Sequence, residues 1–215
     1  MSDHREPIAG SRTKPVIGLV GAIGAGKSTA AAAFARRGGH VIDADTLGHD
    51  ALEQPEIRRK VLDRWGGKGI TRSTDGRIDR KAVAAIVFAD PAERAALESM
   101  VYPYIGKRTA DEIAAAQANP DAKFVVVDAA VMLEAGWTLC DRLAYVDASR
   151  PVRLARLAAR SGWAAADLDA REAAQWPAEE KKKRCDAIIV NEGSREELQA
   201  RVDDVLRQWS IVPFA

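Results

Sequence analysis

The stretch Gly21-Ala22-Ile23-Gly24-Ala25-Gly26-Lys27-Ser28 restricts this chain more than any other part of it. It fits the pattern G-x-x-x-x-G-K-[ST], in which each position has a mechanical task. The glycines let the backbone wrap round a polyphosphate with its N–H groups turned inward. Lys27 brings a mobile positive charge to the β- and γ-phosphates, and the Ser28 hydroxyl can ligate Mg²⁺. The flanks agree with this reading. Val16–Val20 is a short apolar run of the kind buried in a parallel strand. Thr29–Arg37 is strongly helix-forming and is stopped by Gly38-Gly39. Strand, glycine loop, helix is an order that puts phosphates at a helix N-terminus, where unpaired N–H groups and the dipole favour anions. The expected ligand is a nucleoside triphosphate, bound by Ala22, Ile23, Gly24, Ala25, Gly26, Lys27, Ser28 and Thr29.

Bulk properties narrow the class. A chain of 215 residues suits one domain with elaborations and can bury a real core. A net charge of +1 argues against a nucleic-acid binder that relies on a basic surface. Cys140 and Cys185 lie far apart without histidines at ligand spacing, which points to neither a disulfide framework nor a zinc site. No apolar run approaches the ~20 residues of a membrane span. Met1–Lys14 is polar, lacks an apolar h-region and reads as a loose tail, not a signal peptide. The expectation is a cytoplasmic enzyme with no nucleic-acid, membrane or obligatory protein partner.

Four further segments read as short buried strands: His40–Ile42, Phe124–Val127, Leu143–Val146 and Ala187–Val190. With Val16–Val20 they predict an α/β fold, a five-stranded parallel sheet flanked by helices. Each of the four ends at or just before a polar residue: Asp43, Asp128, Asp147 and Asn191. In an open parallel sheet, ligands bind beyond the carboxyl ends of the strands. The four are therefore expected in register around the phosphate loop. Between Asp45 and Phe124 the chain is far longer than one crossover helix requires. Helical pieces at Pro55–Trp65, Arg80–Phe88 and Pro91–Gln117, broken by Gly66-Gly67-Lys68-Gly69, predict a helical insert able to hold a second substrate. A second insert, Arg153–Arg184, is dense in charge; its Lys181-Lys182-Lys183-Arg184 run reads as a solvated helix face. Two inserts on a phosphate-loop core fit a small-molecule kinase, which needs an acceptor site and a means of excluding water.

The chain resembles the dephospho-coenzyme A kinase family from about Val16 to its end. The resemblance rests on Ile17-Gly18-Leu19 leading into the loop, Val41-Ile42-Asp43-Ala44-Asp45, and Asp75-Gly76-Arg77-Ile78-Asp79-Arg80. It continues through Val87–Pro91, Asp128 with Leu133-Glu134-Ala135-Gly136-Trp137, Arg171 with Gln175, and Cys185–Ser194. It implies ATP-dependent phosphorylation of the 3′-hydroxyl of dephospho-coenzyme A, with Mg²⁺. It also implies three parts: a nucleotide-binding core (15–45, 121–152 and 185–215), a helical acceptor domain (46–120) and a lid (153–184). The chain departs from the family at Tyr102-Pro103, where His-Pro is usual, and at Ala130, where a proline is usual.

Roles follow from that frame. Asp43 and Asp45 are both candidates to orient the acceptor hydroxyl, two apart and able to face the same way if the strand continues that far. The resemblance selects Asp45. A carboxylate is too weak a base to deprotonate a sugar hydroxyl in advance, so its role is to hold the oxygen in line and take the proton late in a loose transition state. Lys27 and Arg156 join Asp45 as catalytic residues. Arg156, Arg160 and Arg171 are expected at phosphates, which planar guanidinium donors suit. Asn191 and Gly193 resemble the family's adenine-side turn, where recognition would lean on backbone groups. Ser28 and Asp128 are the expected Mg²⁺ residues, and Asp45, His49, Arg80 and Tyr102 the acceptor contacts. Another small-molecule or nucleoside monophosphate kinase on the same scaffold is the nearest alternative. A guanine-nucleotide switch is disfavoured, because no Asn-Lys-x-Asp motif is present.

Overall fold

The computed structural model describes residues 12–72 and 75–211. Most of the expected tail, with Met1–Ser11, therefore lies outside the described residues. Its last part is held: Arg12 donates to the Leu139 carbonyl at 2.8 Å, and Lys14 and Gln117 exchange hydrogen bonds at 3.0 and 2.9 Å.

The predicted strands form with little change of boundary: β1 (Val16–Gly21), β2 (Gly39–Asp43), β3 (Phe124–Asp128), β4 (Arg142–Asp147) and β5 (Ala187–Val190). Every pairing is parallel, and the order is β2-β3-β1-β4-β5. β1 is central and buried at all six positions, as a strand covered on both faces requires. The chain leaves β1 for β2 on one side, returns through β3, and then crosses to β4 on the other side. Its carboxyl end is thus a switch point, where open sheets bind ligands.

One face of the sheet packs on α1 (Lys27–Ala35) and α9 (Arg195–Gln208). Ile17, Leu19, Val126, Val146 and Ile189 meet Ala30, Ala33, Phe34, Val202 and Leu206 there. Phe34 and Phe124 are wholly buried and pack edge to face, with ring centroids 6.2 Å apart. Burying each such side chain contributes ~1.5–3 kcal/mol. α9 begins with a capping box: Glu197 N–H donates to Ser194 Oγ, and Ser194 N–H to Glu197 Oε2.

The strand-end residues do not lie in one register. Asp43 pairs with Asp128, which pairs with Leu19; Leu19 also pairs with Ala144, three residues short of Asp147. At about 3.3 Å per residue, Asp147 and Asn191 stand roughly 10 Å or more further along than Asp43 and Asp128. The four make two offset pairs, because β4 and β5 extend beyond the level at which β2 and β3 stop. The phosphate loop leaves β1 between those two levels.

The chain divides into two units: Ala44–Thr109, and a first unit built from the chain up to Asp43 and from Ala110 onward. The second unit runs from 44 to 109, so its boundary falls inside α5 (Pro91–Ala118). It holds α2 (Ala44–Ala51), α3 (Pro55–Trp65), a 3-10 turn at Gly66–Lys68, α4 (Arg80–Ala89) and the first part of α5. Asp79 caps α4 by accepting from the N–H groups of Lys81 and Ala82. The segment expected as a lid forms α6 (Arg150–Ser161), α7 (Ala165–Glu172) and α8 (Ala178–Lys182) within the first unit.

Candidate active site

The phosphate loop is held from its outer side. Ala22 N–H donates to the Val146 carbonyl at 3.2 Å and Ala25 N–H to the Ala22 carbonyl at 3.0 Å, which sets the turn. Gly24 and Gly26 have φ of 79° and 90°, a region open to glycine and costly for other residues. Space imposes the same choice. A Cβ on Gly24 would lie 2.9 Å from Leu157 of α6, and one on Gly26 would overlap the Asn191 amide.

Two carbonyls of the loop, those of Ile23 and Ala25, are engaged by side chains. Arg153 Nη1 donates to Ile23 at 3.0 Å; Arg156 Nη1 donates to Ala25 at 3.3 Å, and Asn191 Nδ2 to the same oxygen at 2.7 Å. In a planar trans peptide the N–H points opposite to the C=O. Fixing these two carbonyls outward therefore fixes the Gly24 and Gly26 N–H groups inward, into the loop. α1 starts at Lys27, so its first-turn N–H groups and the positive end of its dipole add to the same anion site.

Lys27 Nζ donates to Asp128 Oδ1, joining the loop to the end of β3. Asp128 is buried, whereas Ser28 and Thr29 are exposed in the first turn of α1. A hydroxyl and a carboxylate are hard oxygen donors. Mg²⁺ usually takes one or two such groups and leaves its other positions to phosphate oxygens and water. Ser28 and Asp128 fit that donor set.

The arginines of the lid segment divide into two groups. Arg153 and Arg156 turn inward, with Leu157, against the phosphate loop; Arg156 Nη1 also donates to the Asn191 carbonyl at 2.9 Å. Arg160 is exposed in the last turn of α6. Arg171 on α7 lies over the Trp163 ring, 3.8 Å from its centroid. The asparagine after β5 also has a structural part that the sequence did not reveal. Its side chain is buried and braces the loop. Gly193, two residues on, precedes the α9 cap.

Sequence reasoning missed two more residues. Lys181, placed on a solvated face, is 2% exposed; it pairs with Glu134 at 2.6 Å and donates to Gln175 and the Ala130 carbonyl. Lys182 pairs with Asp147 at 2.7 Å, which raises the lysine's pKa. A run of four bases gives no internal signal as to which one turns inward. Near them, burial and then the Asp147 charge push the Tyr145 hydroxyl up to about 12.

The expected acceptor residues belong to the second unit. β2 ends at Asp43 and α2 begins at Ala44, so Asp43 and Asp45 do not share a strand face. Asp45 is exposed in the first turn of α2, where a negative charge suits the helix dipole. His49 is four residues later and exposed, on the same side of the helix as Asp45, while Ala44, Leu47 and Ala51 form the buried stripe. Arg80 is exposed as the first residue of α4, and Tyr102 is half-buried on α5 beside Pro103.

A phosphate loop leaving the central strand of this all-parallel sheet, braced by an arginine-bearing helix, defines a P-loop kinase. A family model described as Dephospho-CoA kinase matches residues 15–197. A Dephospho-CoA kinase from Deinococcus radiodurans is 38% identical over 209 residues, covering 96% of this chain and 99% of its own length. Another from Anaeromyxobacter dehalogenans is 40% identical over 194 residues, covering 89% and 90%. The crystal structure of a Thermus thermophilus protein superposes with a TM-score of 0.75 at 35% identity, covering 91% of this chain and 97% of that one. The chain belongs to the dephospho-CoA kinase family.

Proposed function

We propose that this chain transfers the γ-phosphoryl group of ATP to the ribose 3′-hydroxyl of dephospho-coenzyme A, giving coenzyme A and ADP. The observation that carries the reading is a complete, braced phosphate loop in a chain that matches the family across residues 15–197. Among the described residues no helix is long and apolar enough to cross a membrane; a cytoplasmic location agrees with that.

The donor half of the chemistry falls to the loop. Its inward N–H groups and Lys27 bind the β- and γ-phosphates and offset charge that builds up on the transferring group. Ser28 and Asp128 would hold Mg²⁺, which when bound neutralises phosphate charge. Lys27 moves from Asp128 toward the phosphates when ATP enters. Asp45 orients the 3′-hydroxyl for in-line attack and accepts its proton late, with His49, Arg80 and Tyr102 as further acceptor contacts. Arg160 and Arg171, which face solvent or stack on Trp163, are suited to reach phosphates when the segment closes. Arg156 acts beside Ala25 and Asn191.

The test is a coupled ADP-release assay with ATP, Mg²⁺ and a panel of acceptors, followed by locating the new phosphate. Turnover of dephospho-coenzyme A with phosphate at the 3′ position is expected. Turnover only of another alcohol or of a nucleoside monophosphate would refute the acceptor assignment.

A further inference from the structure

We propose that Arg153 is a positioning residue for phosphoryl transfer: it grips the Ile23 carbonyl from a site fixed by Glu172, and so orients the Gly24 N–H toward the phosphates and ties α6 and α7 to the phosphate loop. The proposal rests on the kinase reading for its reaction, and on three observations for its geometry.

First, Arg153 is buried, at 9% exposure, and its donors are directed. Nε donates to the Ala148 carbonyl at 3.1 Å; Nη1 donates to the Ile23 carbonyl at 3.0 Å and to Glu172 Oε1 at 2.5 Å. A buried guanidinium without a carboxylate would be costly, so Glu172 is what lets a charge sit behind the loop. Second, the bond falls on the peptide that links Ile23 to Gly24. The guanidinium meets the carbonyl side of that peptide, and its N–H faces the other way. Arg153 therefore acts on phosphate through the loop, without touching it, and its charge strengthens the opposite N–H as a donor by polarising the peptide. Third, Leu157, one turn further along α6, packs where a Gly24 side chain would be. α6 thus holds Gly24 at two points.

The anchor reaches beyond α6. Glu172 also accepts from Arg150 at 3.2 Å, and Arg150 donates to Asp169 at 2.6 Å. Two acids of α7 thereby fix two arginines at the start of α6. Arg171 is the residue next to Glu172, so movement of α7 during closure would be felt at the Ile23 peptide.

The experiment compares ATP with AMP, because the loop contacts phosphates that AMP lacks. Dissociation constants for both nucleotides, with kcat and KM, are measured for the parent, Arg153→Met, Arg153→Lys and Glu172→Gln. Loss of one charge-assisted hydrogen bond predicts that Arg153→Met weakens ATP binding about tenfold relative to AMP and lowers kcat. Arg153→Lys, which keeps a charged donor, recovers part of the loss, and Glu172→Gln shows a smaller loss of the same sign. A purely structural role would lower thermal stability and leave the ATP-to-AMP ratio alone. A folded Arg153→Met protein whose ratio and kcat stay within about twofold of the parent overturns the proposal. If Arg153→Met does not fold, an unchanged ratio in both Arg153→Lys and Glu172→Gln overturns it. The ratio needs no acceptor, so a parent that binds ATP but fails to phosphorylate dephospho-coenzyme A refutes the acceptor assignment alone.

Discussion

Gly21–Ser28 and Ala44–Ala51 differ in what their surroundings fix. In the phosphate loop the working groups are mostly backbone N–H, and their directions are set by carbonyls bonded to Arg153, Arg156 and Asn191. Glycine is required at Gly24 and Gly26 because neighbours occupy the side-chain space. In α2 the groups proposed for the acceptor side are exposed side chains, Asp45 and His49, on an eight-residue helix with one buried stripe. The loop's donors are aimed by backbone bonding, whereas the helix presents side chains at an exposed face. Substitutions at the loop should therefore damage nucleotide binding and transfer together, whereas those on α2 should separate the two.

The largest effect is expected at Lys27. Lys27→Ala removes the mobile charge at the phosphates, and a loss of about 10²–10³ in kcat follows if that charge serves the transition state. Adenosine or AMP affinity should hardly change. Steady-state kinetics beside AMP titration tests this, and equal losses in both would blur the distinction between loop and helix. Asp45→Asn comes next. It should lower turnover about tenfold or more, the lower end expected when a base-like residue is lost, and leave ATP affinity nearly intact. Unchanged turnover would remove Asp45 from the mechanism. Asn191→Ala is smaller again. It deletes one buried bond to the Ala25 carbonyl while Arg156 keeps the other, so ATP affinity should fall about five- to tenfold relative to AMP. Calorimetric titration of the two nucleotides would detect that change. Full retention of ATP affinity would mean the carbonyl side of the loop needs no brace.

The same contrast explains what could be read from the sequence. A motif whose chemistry is backbone must spell itself in glycines and in the flanking strand and helix, so Gly21–Ser28 was legible, as were all five strands and Pro55–Trp65 to the residue. Helix starts were legible where a proline or cap marks them, at Pro55, Arg80 and Pro91. The braces were not. Arg153 and Lys181 sit in charged runs that look solvated, and only the fold shows that each meets a carboxylate, Glu172 or Glu134, far away in the chain or on another helix. Register was illegible for a related reason. Asp43, Asp128, Asp147 and Asn191 all end apolar runs, but the stagger between strands depends on pairings that no single strand encodes. The role of Asp45 came from resemblance alone, because an exposed acid in a first helical turn is also an ordinary dipole partner.

The smallest effect concerns the scaffold that carries α2. Glu93 accepts from Arg64 Nε at 2.6 Å and from Trp65 Nε1 at 2.9 Å. The bond from Arg64, and after it the bond from Trp65, holds the Glu93 carboxyl below the ordinary glutamate range. A carboxyl depressed in the folded state gives its stabilisation in full above its unfolded pKa and loses it as the pH falls through the folded value. The second unit should thus loosen in acid, below the ordinary glutamate range, while neutral and alkaline solutions leave this contribution unchanged. Trp65 is 1% exposed and bonded to the titrating group, so the step alters its share of the emission of the chain's five tryptophans. Glu93→Gln keeps an acceptor without the charge, and should flatten that acid-side change in emission and in Tm. Because Glu93 is not part of the phosphate loop, the ATP-to-AMP affinity ratio of Glu93→Gln at neutral pH should match the parent's. A shifted ratio would mean that the loop depends on the second unit's packing, and would overturn the contrast between a self-sufficient phosphate loop and a separately supported α2.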